Sequence, residues 1–402
     1  DGRCALKAVY QLAGIAEFDA RFQCRETERA LVVRVDLAAR GATRKRGQVR
    51  AYNASLTSCK LVQHNGRIAP SAHEHVPSSH GNPMKQIETD YLVIGSGAVG
   101  LAFADTLLDE SDAHITIVDK HSKPGGHWND AYSFVGLHQP SAFYGVNSLP
   151  LGSNQKDTSG LNKGFYELAS GPEISAYFEK VMNQRLLPSG RVSYFPMSNY
   201  VGDGKFVGIL SCAETQVTVR KKIVDATYYG TTVPSTHTPK FEVKAGARLV
   251  TPNQLPQLWQ VRHATPEHFV IIGAGKTAMD AGVWLINSGA SPDAISWVMP
   301  RDSWLVNRAH TQPGFEFFFE TIGGQANEME AIANATSVDD LFERLEACDQ
   351  MLRIYPDHKP TMFHYATVSH GEAAVLRQIK NVIRMGHVQT IDSREMVLDG
   401  GR

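Results

Sequence analysis

Tyr91-Leu92-Val93-Ile94-Gly95-Ser96-Gly97-Ala98-Val99-Gly100 is the stretch on which the fold turns. Four apolar residues in a row read as a strand buried on both faces, as in a parallel sheet. They run straight into glycines spaced G-x-G-x-x-G, and a helical pattern follows through Leu101, Ala102, Ala104 and Leu107-Leu108. His114-Ile115-Thr116-Ile117-Val118 reads as a second strand, closing a βαβ unit of about 30 residues. Each glycine has a mechanical purpose. The first allows a tight turn out of the strand, the second lets a pyrophosphate approach the backbone, and the third lets the helix pack on the strand. The phosphates then meet free N–H groups at the positive end of the helix dipole. Asp119, nineteen residues beyond Gly100, ends the second strand where an acid can accept ribose hydroxyls, and Lys120 follows it. Gly95, Ser96, Gly97, Ala98, Val99, Gly100, Asp119 and Lys120 are therefore candidate dinucleotide-binding residues.

The pattern occurs twice. Phe269-Val270-Ile271-Ile272 is a strand, Gly273-Ala274-Gly275 a turn, Lys276–Asn287 a helix and Ile295–Met299 the next strand. The glycine spacing here is Gly273-x-Gly275-x-x-Ala278, and alanine still permits close packing. Met299 stands where the first unit has Asp119, so no carboxylate is present for a free ribose 2′-hydroxyl. Arg301 follows two residues later and can pair with a 2′-phosphate, which points to NADP(H). The alternative for Arg301 is a surface arginine beside Asp302. Lys276, at the helix start beside Thr277, is suited either to phosphate or to solvent. Two dinucleotide sites on one chain imply electron transfer from a nicotinamide to a flavin.

The rest of the chain sets bounds. Its 402 residues suffice for two or three units, and 42% hydrophobic and 20% charged residues are ordinary for a globular protein. A net charge of −1 gives no global field favouring nucleic acid or an anionic membrane. No apolar run reaches the ~18 residues of a spanning helix. Cys4, Cys24, Cys59, Cys212 and Cys348 are scattered, without a C-x-x-C pair, which fits a reducing, cytoplasmic setting and argues against disulfide or zinc frameworks. No metal site is expected. The basic run at Arg44-Lys45-Arg46 reads as a solvated arm, and His73, His75 and His80 as part of a Pro/Ser/Gly-rich linker. Asn53-Ala54-Ser55 and Asn334-Ala335-Thr336 match the glycosylation tripeptide by chance. The first methionine is Met84, directly ahead of the first strand, and the last residues read as a strand entering a turn. A natural start at Met84 and a continuation beyond Arg402 are the expectation.

The chain resembles the flavin-containing monooxygenase-like group of two-dinucleotide-binding-domain flavoproteins. The resemblance rests on Asp90–Gly100, Asp119, Gly125-Gly126-His127-Trp128, Gly273–Asp280 and Met299–Trp304, and covers residues 84–402. It implies an α/β fold of two Rossmann-like dinucleotide-binding domains, the NAD(P) domain inserted in a discontinuous FAD domain. The expected division is an extra N-terminal segment (1–83), the first part of the FAD domain (84–205), the NAD(P) domain with flanking strands (206–310), and a helical segment returning to the FAD domain (311–402). It also implies FAD and NADP(H) as cofactors and a small-molecule substrate. Gly126, His127 and Trp128 would lie beside the flavin, and His138–Tyr144 resembles the next flavin-proximal segment. The group's F-x-G-x-x-x-H segment is missing between Phe241 and Phe269. Three functions fit: an NADPH-dependent oxygenating flavoprotein, a flavoprotein reductase or dehydrogenase without oxygen insertion, and a non-catalytic nucleotide-binding protein. The absence of C-x-x-C disfavours a disulfide reductase, and the second glycine motif with Arg301 disfavours a mere binder. No side chain stands out as a catalytic acid or base; His127 and His138 are nearest to such a role.

Overall fold

The computed structural model describes residues 84–401, apart from 229, 231, 232, 234 and 261–265, together with the short strand Ala30–Leu31. The expectations for Arg44–Arg46, His73, His75, His80, Asn53 and the first three cysteines lie outside the described residues.

The first unit is built on a parallel core. Strand β1 (Lys85–Ile94) pairs in parallel with β2 (Ile115–Val118), and β2 with β3 (Val192–Phe195). Leu92, Val93 and all of β2 are buried, as expected of strands covered on both faces. Helix α1 (Ala98–Glu110) lays Leu101, Ala104 and Leu108 on this sheet. Helix α2 (Gly171–Lys180) completes the layer with Ile174, Tyr177 and Phe178. It starts with a capping box, Ser170 and Glu173 each bonding the other's backbone N–H, and runs on as one π turn through Val181–Leu186.

The strands expected to flank the second unit belong to the first. β4 (Ser198–Gly202), β5 (Lys205–Gly208) and β6 (Glu214–Asp225) extend the same sheet in the order β3-β2-β1-β6-β5-β4. β6 runs parallel to β1 from Lys85↔Thr215 to Ile94↔Asp225. A boundary at 205/206 therefore cuts through a hydrogen-bonded sheet, and we propose that the boundary falls after Asp225.

The second unit repeats the plan. β7 (Phe269–Ile272), β8 (Ile295–Val298) and β12 (Asn381–Ile383) form a parallel sheet in the order β7-β8-β12, with helix α3 (Lys276–Asn287) between the first two. Trp297, Leu285 and Met279 lie in its core. β9 (Ser303–Asn307) pairs with β10 (Met351–Leu352) and β11 (Met362–Val368). Helices α4 (Phe318–Asn334) and α5 (Val338–Ala347) lie between β9 and β10 in the chain, and α6 (His370–Leu376) follows β11. The segment 311–402, expected to be helical, thus passes from the short α6 into a strand. Asn381-Val382-Ile383 continues the ladder beside Ser296–Val298. β13 (Val388–Ile391) and β14 (Met396–Leu398) pair with each other, and β13 also with Glu242–Val243. Among the described residues, no strand after Asp225 rejoins the first sheet. The return expected of 311–402 is made instead by side chains of the segment 308–317, through Arg308, Gln312 and Phe317.

Candidate functional site

The first glycine turn stands at the carboxyl ends of β1, β2 and β6, where open α/β sheets place ligands. Gly95 has φ +99°, a conformation that L side chains rarely adopt. Its N–H donates to the carbonyl of Val118, and the N–H of Ala226 to the carbonyl of Ile94, so both neighbouring strands fix the turn. Ala226 and Thr227 close in behind the glycines, within 3.8 Å of a Cβ placed on Gly95. Their contribution was missed in the sequence; the signal was Ile223-Val224 followed by small residues.

Gly97 caps α1 without a side-chain hydrogen bond, and its backbone faces that of Gly126. Among the described residues, the N–H groups of Gly97, Ala98 and Val99 have no acceptor. Val99 is 60% exposed, so the helix end is open. These are the features of a phosphate cradle.

Asp119 ends β2 as expected, but its carboxylate is occupied from within. Ser96 donates to Oδ2 from its N–H (2.6 Å) and its hydroxyl (2.8 Å). The N–H of His121 donates to Oδ1 at 2.7 Å, and Nδ1 of His121 lies 2.8 Å from the same oxygen. The other nitrogen of His121 is 3.0 Å from Asp130. Asp119 is 5% exposed and acts first as the brace that ties the glycine turn to β2. Lys120 is exposed. His121 was not singled out in the sequence; a histidine two residues beyond the acid was its one signal.

Gly125 (φ +124°) and Gly126 (φ +57°) bring the next loop against Gly97. The indole N–H of Trp128 donates to the Tyr144 hydroxyl at 2.7 Å, so the Gly-Gly-x-Trp loop and the His138–Tyr144 segment meet. Trp128 also packs on the core of the first unit. Burial holds His127 below the usual imidazole range. Burial, followed by the neighbouring Lys276 charge, pushes His138 down to about 4. Neither is set to carry a proton at neutral pH in the folded chain.

The second turn repeats the geometry. Gly273 has φ +109°, and a Cβ on Gly273 or Gly275 would meet open space. The indole N–H of the buried Trp297 donates to the Gly273 carbonyl at 2.7 Å and fixes the turn from β8. Among the described residues, the N–H groups of Gly275, Lys276 and Thr277 have no acceptor. Ala278 is buried against the strand. A cleft of about 1390 Å³ borders the turn, lined by Gly273, Gly275 and Thr277 and by the cationic Lys240, Arg248 and Arg394. Arg301 is exposed just beyond β8, with no hydrogen-bond or ion-pair partner among the described residues. Asp302 is not its counterion; that carboxylate takes a bidentate pair from Arg384 at 2.7 and 2.9 Å.

Lys276 is engaged by acids of its own chain. Its side chain is 12% exposed and pairs with Asp280, one turn on, and with Glu372 of α6 at 3.3 Å. It is turned from solvent and held between two carboxylates.

Residues 93–156 match the family of NAD(P)-binding Rossmann-like domains. The first unit has a Rossmann-like fold. Uncharacterised proteins of Mycobacterium tuberculosis and Mycobacterium bovis are each 51% identical over 357 residues, covering 85% of this chain. The chain spans 65% of their length. Among solved structures, cyclohexanone monooxygenase in its closed form is 12% identical over 79% of this chain and 69% of that one, with a TM-score of 0.45. A flavin-containing monooxygenase from Stenotrophomonas maltophilia is 18% identical over 53% and 58%, with a TM-score of 0.35. Among the described residues, no helix is long and apolar enough to cross a membrane.

Proposed function

We propose that the chain is an FAD-dependent oxidoreductase reduced by NADPH, which oxygenates a small organic molecule. The observation that carries this is the paired geometry. Two Rossmann-like turns, each with an open helix N-terminus, stand on one chain, and beyond the second strand of the second unit Arg301 is unpaired among the described residues. The residues fit the two nucleotides. Gly97, Ala98, Val99 and Gly126 leave backbone accessible for the FAD pyrophosphate, with His127 and Trp128 alongside. Gly273, Gly275, Thr277 and Ala278 border a cleft that exceeds the ~300–1,000 Å³ of ordinary ligand sites. Arg301 would hold the 2′-phosphate that distinguishes NADPH. A bound flavin supplies the redox chemistry, accepting hydride from the nicotinamide. The chain's part is to grip both nucleotides and keep the two turns in a fixed relation.

A second reading, an NAD(P)H-dependent reductase or dehydrogenase without oxygen insertion, is favoured by the missing F-x-G-x-x-x-H segment between Phe241 and Phe269. The two separate by isotope. With labelled dioxygen and a panel of small organic substrates, the oxygenase places the label in a product in proportion to NADPH consumed. The reductase consumes NADPH with no label in any organic product.

A further inference from the structure

Four ionised side chains stand between the two units, outside both glycine turns. Lys276 opens α3 and Asp280 lies one turn further along it. Glu372 comes from α6 and pairs with Arg308, which follows β9, at 2.6 Å. The charges balance, two of each sign. The group is anchored to the first unit at three points. The hydroxyl of Tyr132 donates to Asp280 at 2.7 Å. Arg308, 1% exposed, donates to the carbonyl of His138 at 2.9 Å and to the side-chain oxygen of Asn162 at 3.3 Å. Ser369, the cap of α6, donates from its hydroxyl to the carbonyl of Leu161 at 2.9 Å. Ser369 also receives Glu372 in a capping box, which aims that carboxylate at Lys276 and Arg308. Phe134 stacks on Trp284 of α3 alongside.

We propose that Tyr132, Asp280, Lys276, Glu372 and Arg308 form a charge clasp that fixes the second glycine turn relative to the first-unit loop 132–138. On this assignment Lys276 is a positioning residue and not a phosphate ligand. Its side chain is drawn along α3 by Asp280 and across to α6 by Glu372, away from the open N–H groups of the turn. A buried ion pair contributes little net stability, and breaking one leaves an uncompensated charge. Its use is to specify one arrangement. The arrangement specified here sets the approach of one nucleotide to the other, a consequence that rests on the two-cofactor reading.

The test uses hydrogen exchange on the nucleotide-free chain and NADPH affinity on the same variants. Tyr132→Phe removes one hydrogen bond and no charge, so the fold survives it. If the clasp joins the units, this first-unit change raises exchange in residues 276–280 and 370–376 of the second unit while leaving β2 and β8 protected. Lys276→Gln leaves the NADPH dissociation constant within about threefold, while either variant slows reduction of bound FAD at saturating NADPH by about tenfold or more, because the loss is one of relative placement. Lys276→Arg, which can pair with both acids, restores that rate. The proposal is overturned if Lys276→Gln weakens NADPH by about tenfold or more, the size of a lost charge-assisted phosphate contact. It is also overturned if Tyr132→Phe changes exchange only within its own loop. Coupled exchange in a chain that takes up neither nucleotide would uphold the clasp and refute the two-cofactor reading.

Discussion

A Cβ on Gly100 would stand 2.1 Å from the carbonyl oxygen of Gly95. No atom of a flexible side chain is available to give way, because the obstacle is backbone. The third glycine of the first turn is therefore required for α1 to sit on β1. Gly100→Ala should displace the helix end and destabilise the chain by about 1–3 kcal/mol, the usual cost of overpacking. It should also remove FAD binding. Denaturant unfolding and retention of flavin absorbance after gel filtration check both. In the second unit Ala278 occupies the matching position, and Ala278→Gly should leave NADPH affinity nearly unchanged.

Asp119 receives the Ser96 N–H and hydroxyl on one oxygen and the His121 N–H on the other. Asp119→Asn presents an amide N–H to one of those donors, so a buried group loses its acceptor. A cost of about 1–3 kcal/mol is expected. Ser96→Ala should cost less, since the backbone N–H bond survives. Urea titration of the two variants checks the order; equal losses would mean that the carboxylate does not brace the turn.

Arg301 is exposed and unpaired among the described residues just beyond β8, while its neighbour Asp302 is taken by Arg384. Arg301→Ala should weaken NADPH by about tenfold to a hundredfold and NADH hardly at all, as expected for loss of a charge-assisted contact to a single phosphate. Titration with both nucleotides decides it. Equal weakening would remove the 2′-phosphate role.

Both glycine turns were legible in the sequence because every part of them is local. Apolar run, glycine spacing and helical pattern fall within a few residues of one another. What was hidden depends on distant pairing. β6 reads as a free meander until its Ile223-Val224 is placed beside Leu92-Val93. Asn381-Val382-Ile383 is too short to show a strand period, and only the edge of β8 makes it one. Lys276 reads as a phosphate-facing or solvent-facing side chain because Glu372 lies far along the chain and joins it only through the packing of α6 on α3. The brace at Asp119 was half legible: the acid was expected, but its capture by His121 follows from a loop conformation that no local pattern announces.

His138 gives the clasp region a pH signature. Burial holds it down at about 4 against an ordinary 6.5, with Lys276 and Arg308 adding to the depression and Asp280 and Glu372 opposing it. The unfolded chain therefore takes up the proton first as pH falls. Stability from the neutral ring is fully present above pH 6.5 and is lost progressively towards pH 4. His138→Gln should flatten the fall in unfolding free energy across that window. A variant whose stability declines as steeply as the parent would show that His138 titrates normally.

The central claim is that one chain carries a flavin and the nicotinamide that reduces it. Its most direct test is anaerobic addition of NADPH to the chain after incubation with FAD and removal of unbound flavin, followed through the visible flavin absorbance. A yellow protein whose band bleaches on NADPH addition is expected, with Arg301→Ala bleaching only at higher NADPH. A chain that retains no flavin, or a bound flavin whose band persists in excess NADPH and NADH alike, would contradict it.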